Sequence, residues 1–441
     1  MGNSLKENTS NMESARISAS KGLLALSPMI VFLLLYVAVS VVLDDFYKMP
    51  ISVALVAASM WAVLIYRGRP LTERIETFSR AAGHSNILYM IWVFVLAGAF
   101  ASLARETGAI DATVNLALSV FPPVMIVPAL FLASCFISLA VGTSVGTVVA
   151  LAPLARQMAV MSDASVPFYV AAVLGGAFFG DNLSFISDTT IAATRSQGCN
   201  MADKFRTNLW IAVPAAVVTL ILYVIMGQGS AEATVTQESK PWLVAPYIVV
   251  IVTAVMGINV TVVLTLGILS SMLLGYAGGF SLIDMAQHCG RGIIGMGDLI
   301  VITLLASGML GIIKAGGGIQ YLLQGLTSCV SGKRGGQAVI ALLVGVVNLC
   351  TANNTVAIIT VGGISRDISR RYGIDPRKSA SLLDSASCVV QCLIPYGAQT
   401  LLGASLAGIS PAAPFPYLYY PWVLGAMIIL SIVFLLPRRL N

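Results

Sequence analysis

Residues 175–190 read GGAFFGDNLSFISDTT, and Asp181, Asn182, Ser184, Ser187, Asp188, Thr189 and Thr190 crowd polar oxygens into ten positions of an otherwise apolar stretch. A carboxylate deep in hydrocarbon costs about 2.5–3.5 kcal/mol on insertion scales, and every freed backbone carbonyl there needs a partner. A locally unwound helix that lines a cavity or holds a cation meets both demands. Carboxylates, hydroxyls, amides and carbonyls together suit a hard ion such as Na+. Burial favours the protonated form of a carboxylate and a bound cation favours the ionised form, so proton and cation compete for the same oxygens. Asp181 and Asp188 are about two helical turns apart. They are read as the metal (Na+) ligands, one as the principal cation site and the other as a proton or second-ion site, with the order open. Caps on a broken helix, or pairing with Arg195, Lys204 or Arg206, are the plainer alternatives.

Asp384, with Ser385 and Ser387, is the other acid well inside an apolar segment and is read as a further ion or proton site. Two short polar tips form a second constellation, Thr143-Ser144-Val-Gly-Thr147 and Thr351-Ala-Asn353-Asn354-Thr355. Helix N-termini at such tips can face an anionic group, and carbonyls at helix C-termini can hold a cation. Thr143, Ser144, Thr147, Thr351, Asn353, Asn354, Thr355 and Ser387 are therefore read as substrate-binding candidates. Pro395-Tyr-Gly397, flanked by Gln391 and Gln399, reads as a helix break in the second half, where proline equally signals a plain kink. Two histidines in the whole chain argue against an imidazole zinc site or a Ser-His-Asp triad. The seven cysteines read as reduced, small core residues.

The elements that carry these residues are membrane helices. Of 441 residues, 57% are apolar and 10% charged, far from the composition of a soluble domain. Fourteen apolar segments are read at about 23–43, 50–66, 87–104, 124–141, 145–161, 168–190, 208–227, 242–257, 259–276, 298–313, 337–350, 354–368, 379–404 and 418–436. Several fall short of the roughly 20 residues of a straight span, so 124–141 with 145–161, and 337–350 with 354–368, read as possible re-entrant hairpins. With both termini and loops 67–86, 191–207, 314–336 and 369–378 inside, and Arg366 counted with them, 20 of the 25 Lys and Arg are cytoplasmic. The basic residues punctuate apolar segments and form no patch, which argues against a nucleic-acid partner.

The halves resemble each other at an offset of 208–209 residues: 97–110 with 306–319, 143–149 with 351–357, Pro167 with Pro376. Seven segments per half would insert the second upside down relative to the first. The expected fold is all-α and polytopic: two inverted-topology repeats with interrupted helices, a disordered cytoplasmic tail at 1–20, repeats at 21–227 and 242–441, and an external linker at 228–241.

Residues 180–190, Gly-Asp-Asn-Leu-Ser-Phe-Ile-Ser-Asp-Thr-Thr, resemble the Gly-Asp-x-x-Ser-x-x-Ser-Asp-Thr-Thr signature of the NhaC-type sodium/proton antiporter family, within the ion transporter superfamily. Size, segment pattern and repeat extend the resemblance over nearly the whole chain. It implies a multi-pass exchanger of the bacterial inner membrane, with a homodimer as a candidate state. It also implies that the signature acids fall on Asp181 and Asp188 and the signature hydroxyls on Ser184, Ser187, Thr189 and Thr190. Asn182 stands where many relatives carry Lys, and Phe185 where Pro is frequent, which suggests a lost charge and an altered backbone. The expected function is Na+/H+ antiport by alternating access, with Na+ and H+ as cargo, no cofactor and no enzymatic activity. The alternative is Na+- or H+-coupled transport of a small amino acid or carboxylic acid, favoured by the amide-rich second tip.

Overall fold

The computed structural model describes residues 17–42, 50–120, 122–185, 187–227, 240–328 and 331–436. The expected tail and linker lie mostly outside these residues, although helix begins by Ala19, before the expected end of the tail. Twenty α-helices follow in order among the described residues: α1 Ala19–Val42, α2 Ile51–Ile65, α3 Leu71–Ala82, α4 Ser85–Glu106, α5 Ala109–Val120, α6 Pro123–Val141, α7 Ser144–Met161, α8 Val166–Leu183, α9 Asp188–Gln197, α10 Met201–Ile225, α11 Ala245–Val255, α12 Val260–Ala277, α13 Leu282–Gly295, α14 Gly297–Ala315, α15 Gly318–Ser328, α16 Gly332–Thr351, α17 Asn354–Arg371, α18 Pro376–Leu393, α19 Ala398–Ala407 and α20 Tyr419–Val433. Nine helical runs among the described residues are long and apolar enough to cross a membrane. The chain is an all-helical, multi-pass membrane protein.

Six helices exceed the fourteen apolar segments for two reasons. Segments 168–190 and 379–404 are each broken in two, giving α8 with α9 and α18 with α19. The other four additions, α3, α5, α13 and α15, are short, and α3 and α13 carry charges through their length. Apolar runs alone do not register such helices. Two helices also start earlier than hydropathy suggests. α10 begins at Met201 and α18 at Pro376, which takes Lys204 and Lys378 out of the cytoplasmic loops and into the protein, with side-chain burial essentially complete.

The breaks have local causes. Pro395 supplies no N–H and disfavours helical backbone at the residue before it, and Ile394 is extended. The first break lacks proline; there Ser184 and Ser187 are extended, and the Ser187 side chain accepts from the Thr190 N–H to start α9. α18 starts on Asp375, whose carboxylate accepts from the Arg377 N–H. The paired Arg377 guanidinium holds that carboxyl below the usual carboxylate range.

Each hairpin turns in two residues. α6 ends on Gly142 in the left-handed region at φ 72°, followed by extended Thr143; α16 ends on Ala352 at φ 48°, followed by extended Asn353. α6 seats against α8 through small residues: Ser134 Oγ donates to Val173 O at 2.6 Å and Ser138 Oγ to Ala177 O at 2.5 Å. A Cβ at Gly176 or Gly180 would collide with Phe131 O, Ser134, Ser138 and Leu139 N. Such close approach is the usual use of small residues between membrane helices.

The second half repeats this contact. Asn348 Nδ2 donates to Ser387 O at 2.8 Å across 39 residues, the separation of Ser138 from Ala177, and each member lies 210 places after its counterpart. α7 and α17, beginning at Ser144 and Asn354, and α9 and α19, beginning at Asp188 and Ala398, keep the same offset.

Candidate functional site

Both tips and both breaks converge on one cavity of about 380 Å³. Its inner wall is Thr143, Ser144, Asp181, Asp188, Thr189, Asn353, Asn354, Thr355, Gln391 and Gln399; exposed Asn86, Tyr89, Gly257 and Asn259 form its outer rim. Tyr89 Oη donates to Asn259 Oδ1 at 3.3 Å and ties the two sides of that rim together. Among the described residues two carboxylates line this space and no lysine or arginine does. A low-dielectric cavity of that charge attracts cations.

Asp181 is 5% exposed and sits at the last turn of α8, where the break frees the helix end. Its Oδ2 accepts from Ser144 Oγ at 3.0 Å, from the first tip, and from Asn354 Nδ2 at 3.4 Å, from the second. Ser144 Oγ in turn accepts from Gln399 Nε2 at 3.0 Å, and Gln391 Nε2 donates to Gln399 Oε1 and to Ala352 O, each at 3.0 Å. One hydrogen-bonded circuit therefore joins both tips to both breaks, with the Asp181 carboxyl as its acidic member. Asp188 opens α9 and is exposed to the cavity, where a helix N-terminus favours a negative charge.

Gln391 and Gln399 are the circuit members that the sequence pointed to only as flanks of the Pro395 break. The stronger signal was the repeat. At the 210-residue offset of the packing contacts Asp181 corresponds to Gln391, whereas offsets of 208–209 leave Asp384 as the nearest acid on the matching segment. The second half presents a neutral amide where the first presents a carboxylate. Gln391 is 1% exposed, and its Oε1 has no protein partner.

Asp384 belongs to a separate cluster behind the cavity. It forms a fully buried ion pair with Lys204 of α10. Lys204 Nζ also donates to Asn182 O at 2.5 Å and to Thr190 Oγ1 at 2.8 Å. Asn208 Nδ2 donates to Asn182 Oδ1 at 2.7 Å, and Ser385 Oγ to the same atom at 3.2 Å. The Lys204 ammonium of α10 thus lies against the Asn182 carbonyl. Asn182, Thr190 and Asp384 are grouped around an ammonium and do not line the cavity.

The remaining sequence candidates take local roles. Thr147 Oγ1 donates to Thr143 O at 3.2 Å, Thr351 Oγ1 to Asn353 O at 3.2 Å, and Ser387 Oγ to Asp384 O at 2.8 Å. Asn353 Oδ1 accepts from Val356 N and caps α17. Ser187 Oγ lies 2.5 Å from Thr189 Oγ1, and Ser184 is buried at the start of the break.

Comparison with known proteins adds an independent line. A model of the Na+/H+ antiporter family matches residues 6–228 and 231–436. The Na(+)/H(+) antiporter NhaC of Alkalihalophilus pseudofirmus is 26% identical over 377 residues, covering 77% of this chain and 80% of its own. The malate-2H(+)/Na(+)-lactate antiporter of Bacillus subtilis is 24% identical, covering 92% of both chains. Among solved structures, the YdaH transporter of Alcanivorax borkumensis aligns with a TM-score of 0.42 at 15% identity, covering 83% of this chain and 88% of that one.

Proposed function

The chain belongs to the Na+/H+ antiporter family, and from that premise we propose that this secondary transporter exchanges Na+ for H+ by alternating access, with both cargoes competing for Asp181. The observation that carries the reading is the setting of Asp181: a buried carboxylate on the wall of an open cavity, held by a hydroxyl and an amide from two different hairpin tips and by no basic side chain. A carboxylate kept in place by neutral donors retains lone pairs for a cation and accepts a proton when the cation leaves. Asp188, at the same wall, is the second acid of the reading, with Thr189 and Ser144 as neutral oxygen donors. Because tips and breaks share one circuit, exchanging proton for Na+ at Asp181 acts at once on both halves of the protein.

The repeated Ser138–Ala177 and Asn348–Ser387 contacts support two repeats, taken to be inverted on the reading of seven membrane segments per half. In the bacterial inner membrane, with basic loops inside, the rim at Asn86, Tyr89 and Asn259 faces the cytoplasm, so this conformation is inward-open.

The size of the cavity favours a second reading. About 380 Å³ is far more than a bare Na+ needs and falls within the range of small-molecule sites. Asn353, Asn354, Gln391 and Gln399 around it suit a solute with several polar groups, and the relative from Bacillus subtilis is named for organic acids. Reconstitution into liposomes with an internal pH dye separates the two. Na+-driven alkalinisation or acidification without any organic solute supports simple exchange; dependence on one amino or carboxylic acid supports the second reading. Asp181→Asn abolishes coupling under both, and a variant that still couples contradicts both.

A further inference from the structure

The buried cluster behind the cavity repeats the chemistry of a cation site but contains a side-chain ammonium. Lys204 Nζ has the Asp384 carboxylate, the Asn182 carbonyl at 2.5 Å and the Thr190 hydroxyl at 2.8 Å around it. The carbonyl comes from the last turn of α8, next to Asp181, and the hydroxyl from the first turn of α9 beyond the break. A carboxylate, a carbonyl released at a helix end and a hydroxyl form the donor set that a hard monovalent cation takes. We propose that Lys204 is a tethered counter-ion occupying a second cation site, and that it limits the transporter to one mobile cation, at Asp181.

The geometry argues for this over a plain structural ion pair. A salt bridge that only joins α10 to α18 needs two partners. Here the ammonium takes all its contacts from oxygens, two of them on opposite sides of the same helix break, and the pair is shut off from solvent. The other buried lysine shows the contrast. Lys378 Nζ bonds Ser431 Oγ and Leu436 O, has no carboxylate, and lies at the end of α20 away from the breaks. In this structure the fixed charge of Lys204 is paired with Asp384, which leaves Asp181 and Asp188 as the acids on the cavity wall among the described residues.

The inference rests on the assignment of Asp181 as a cation ligand, and equilibrium binding of radioactive Na+ to the purified full-length protein tests the two separately. The intact protein binds one Na+, and Asp181→Asn removes it; persistence of that binding contradicts the Asp181 assignment alone. Adding Lys204→Ala to Asp181→Asn creates one Na+ site per chain, and adding Asp384→Asn to that pair abolishes it. Lys204→Arg, which keeps the tethered charge, creates none. A folded Asp181→Asn/Lys204→Ala protein that binds no Na+ overturns the proposal. Should Lys204→Ala unfold in choline buffer, the proposal requires that Na+ restore its melting transition, and failure of molar Na+ to do so overturns it equally.

Discussion

Breaking the Lys204–Asp384 pair one side at a time should cost far more than removing it whole. Both side chains are essentially inaccessible, at 1% and 0% exposure, so neither can recover hydration when its partner is lost. Removing one member of a buried pair typically destabilises by about 3–5 kcal/mol, whereas replacing both with neutral groups of similar volume is often close to neutral. In Asp384→Asn the ammonium keeps Asn182 O and Thr190 Oγ1 as acceptors, and in Lys204→Met the carboxylate keeps the weak Cys388 Sγ donor at 3.8 Å and Thr190 Oγ1 at 3.5 Å. Each single variant is therefore expected to lose about 3–5 kcal/mol in Na+-free choline buffer, and the double variant no more than about 2 kcal/mol. Unfolding of the detergent-solubilised protein, followed by tryptophan fluorescence across a denaturant series, gives the three values. Single variants that each lose under about 1 kcal/mol, or a double variant equal to their sum, refute the pair as a coupled unit.

Other outcomes follow from the same contacts. Ala352→Gly stabilises the second tip by up to about 1 kcal/mol, because a non-glycine residue at φ 48° is strained, while Gly142→Ala at φ 72° destabilises the first by a similar amount; melting shifts of the same sign contradict this. Gly180→Ala forces α6 off α8, where its Cβ meets Ser138 and Leu139 N, and costs about 1–3 kcal/mol with a matching loss of transport; full transport at unchanged stability contradicts it. Ser144→Ala removes a donor to a charged group, about 1.5–3 kcal/mol, and raises the half-saturating Na+ concentration about tenfold or more in proteoliposome exchange. An unchanged half-saturation removes Ser144 from the site.

Much of the candidate site was legible because the membrane makes polar residues conspicuous. The oxygen cluster at 181–190 and the two tips stand out against an apolar background, and the structure draws Asp181, Ser144 and Asn354 into direct contact. Lys204 was misread for the same reason: charge near a segment end reads as loop, but a lysine with a carboxylate partner can continue the helix inward. Gln391 was noted only as a flank of the Pro395 break, and its match to Asp181 was missed because a shift of one or two residues in the repeat register rotates a helix by 100° per residue, which replaces an acid-to-amide correspondence with an apparent acid-to-acid one. The amphipathic helices α3 and α13 lie below any apolar-run threshold. Which acid a basic side chain neutralises is a three-dimensional fact, set here by the packing of α10 against α18.

Competition between Na+ and a proton at Asp181 is tested most directly by proton release on ion binding. Purified protein in weakly buffered detergent at near-neutral pH should acidify the solution when Na+ is added and not when choline is, and the Asp181→Asn protein should release no proton. Equal release from both proteins would contradict Asp181 as the shared site of the two cargoes.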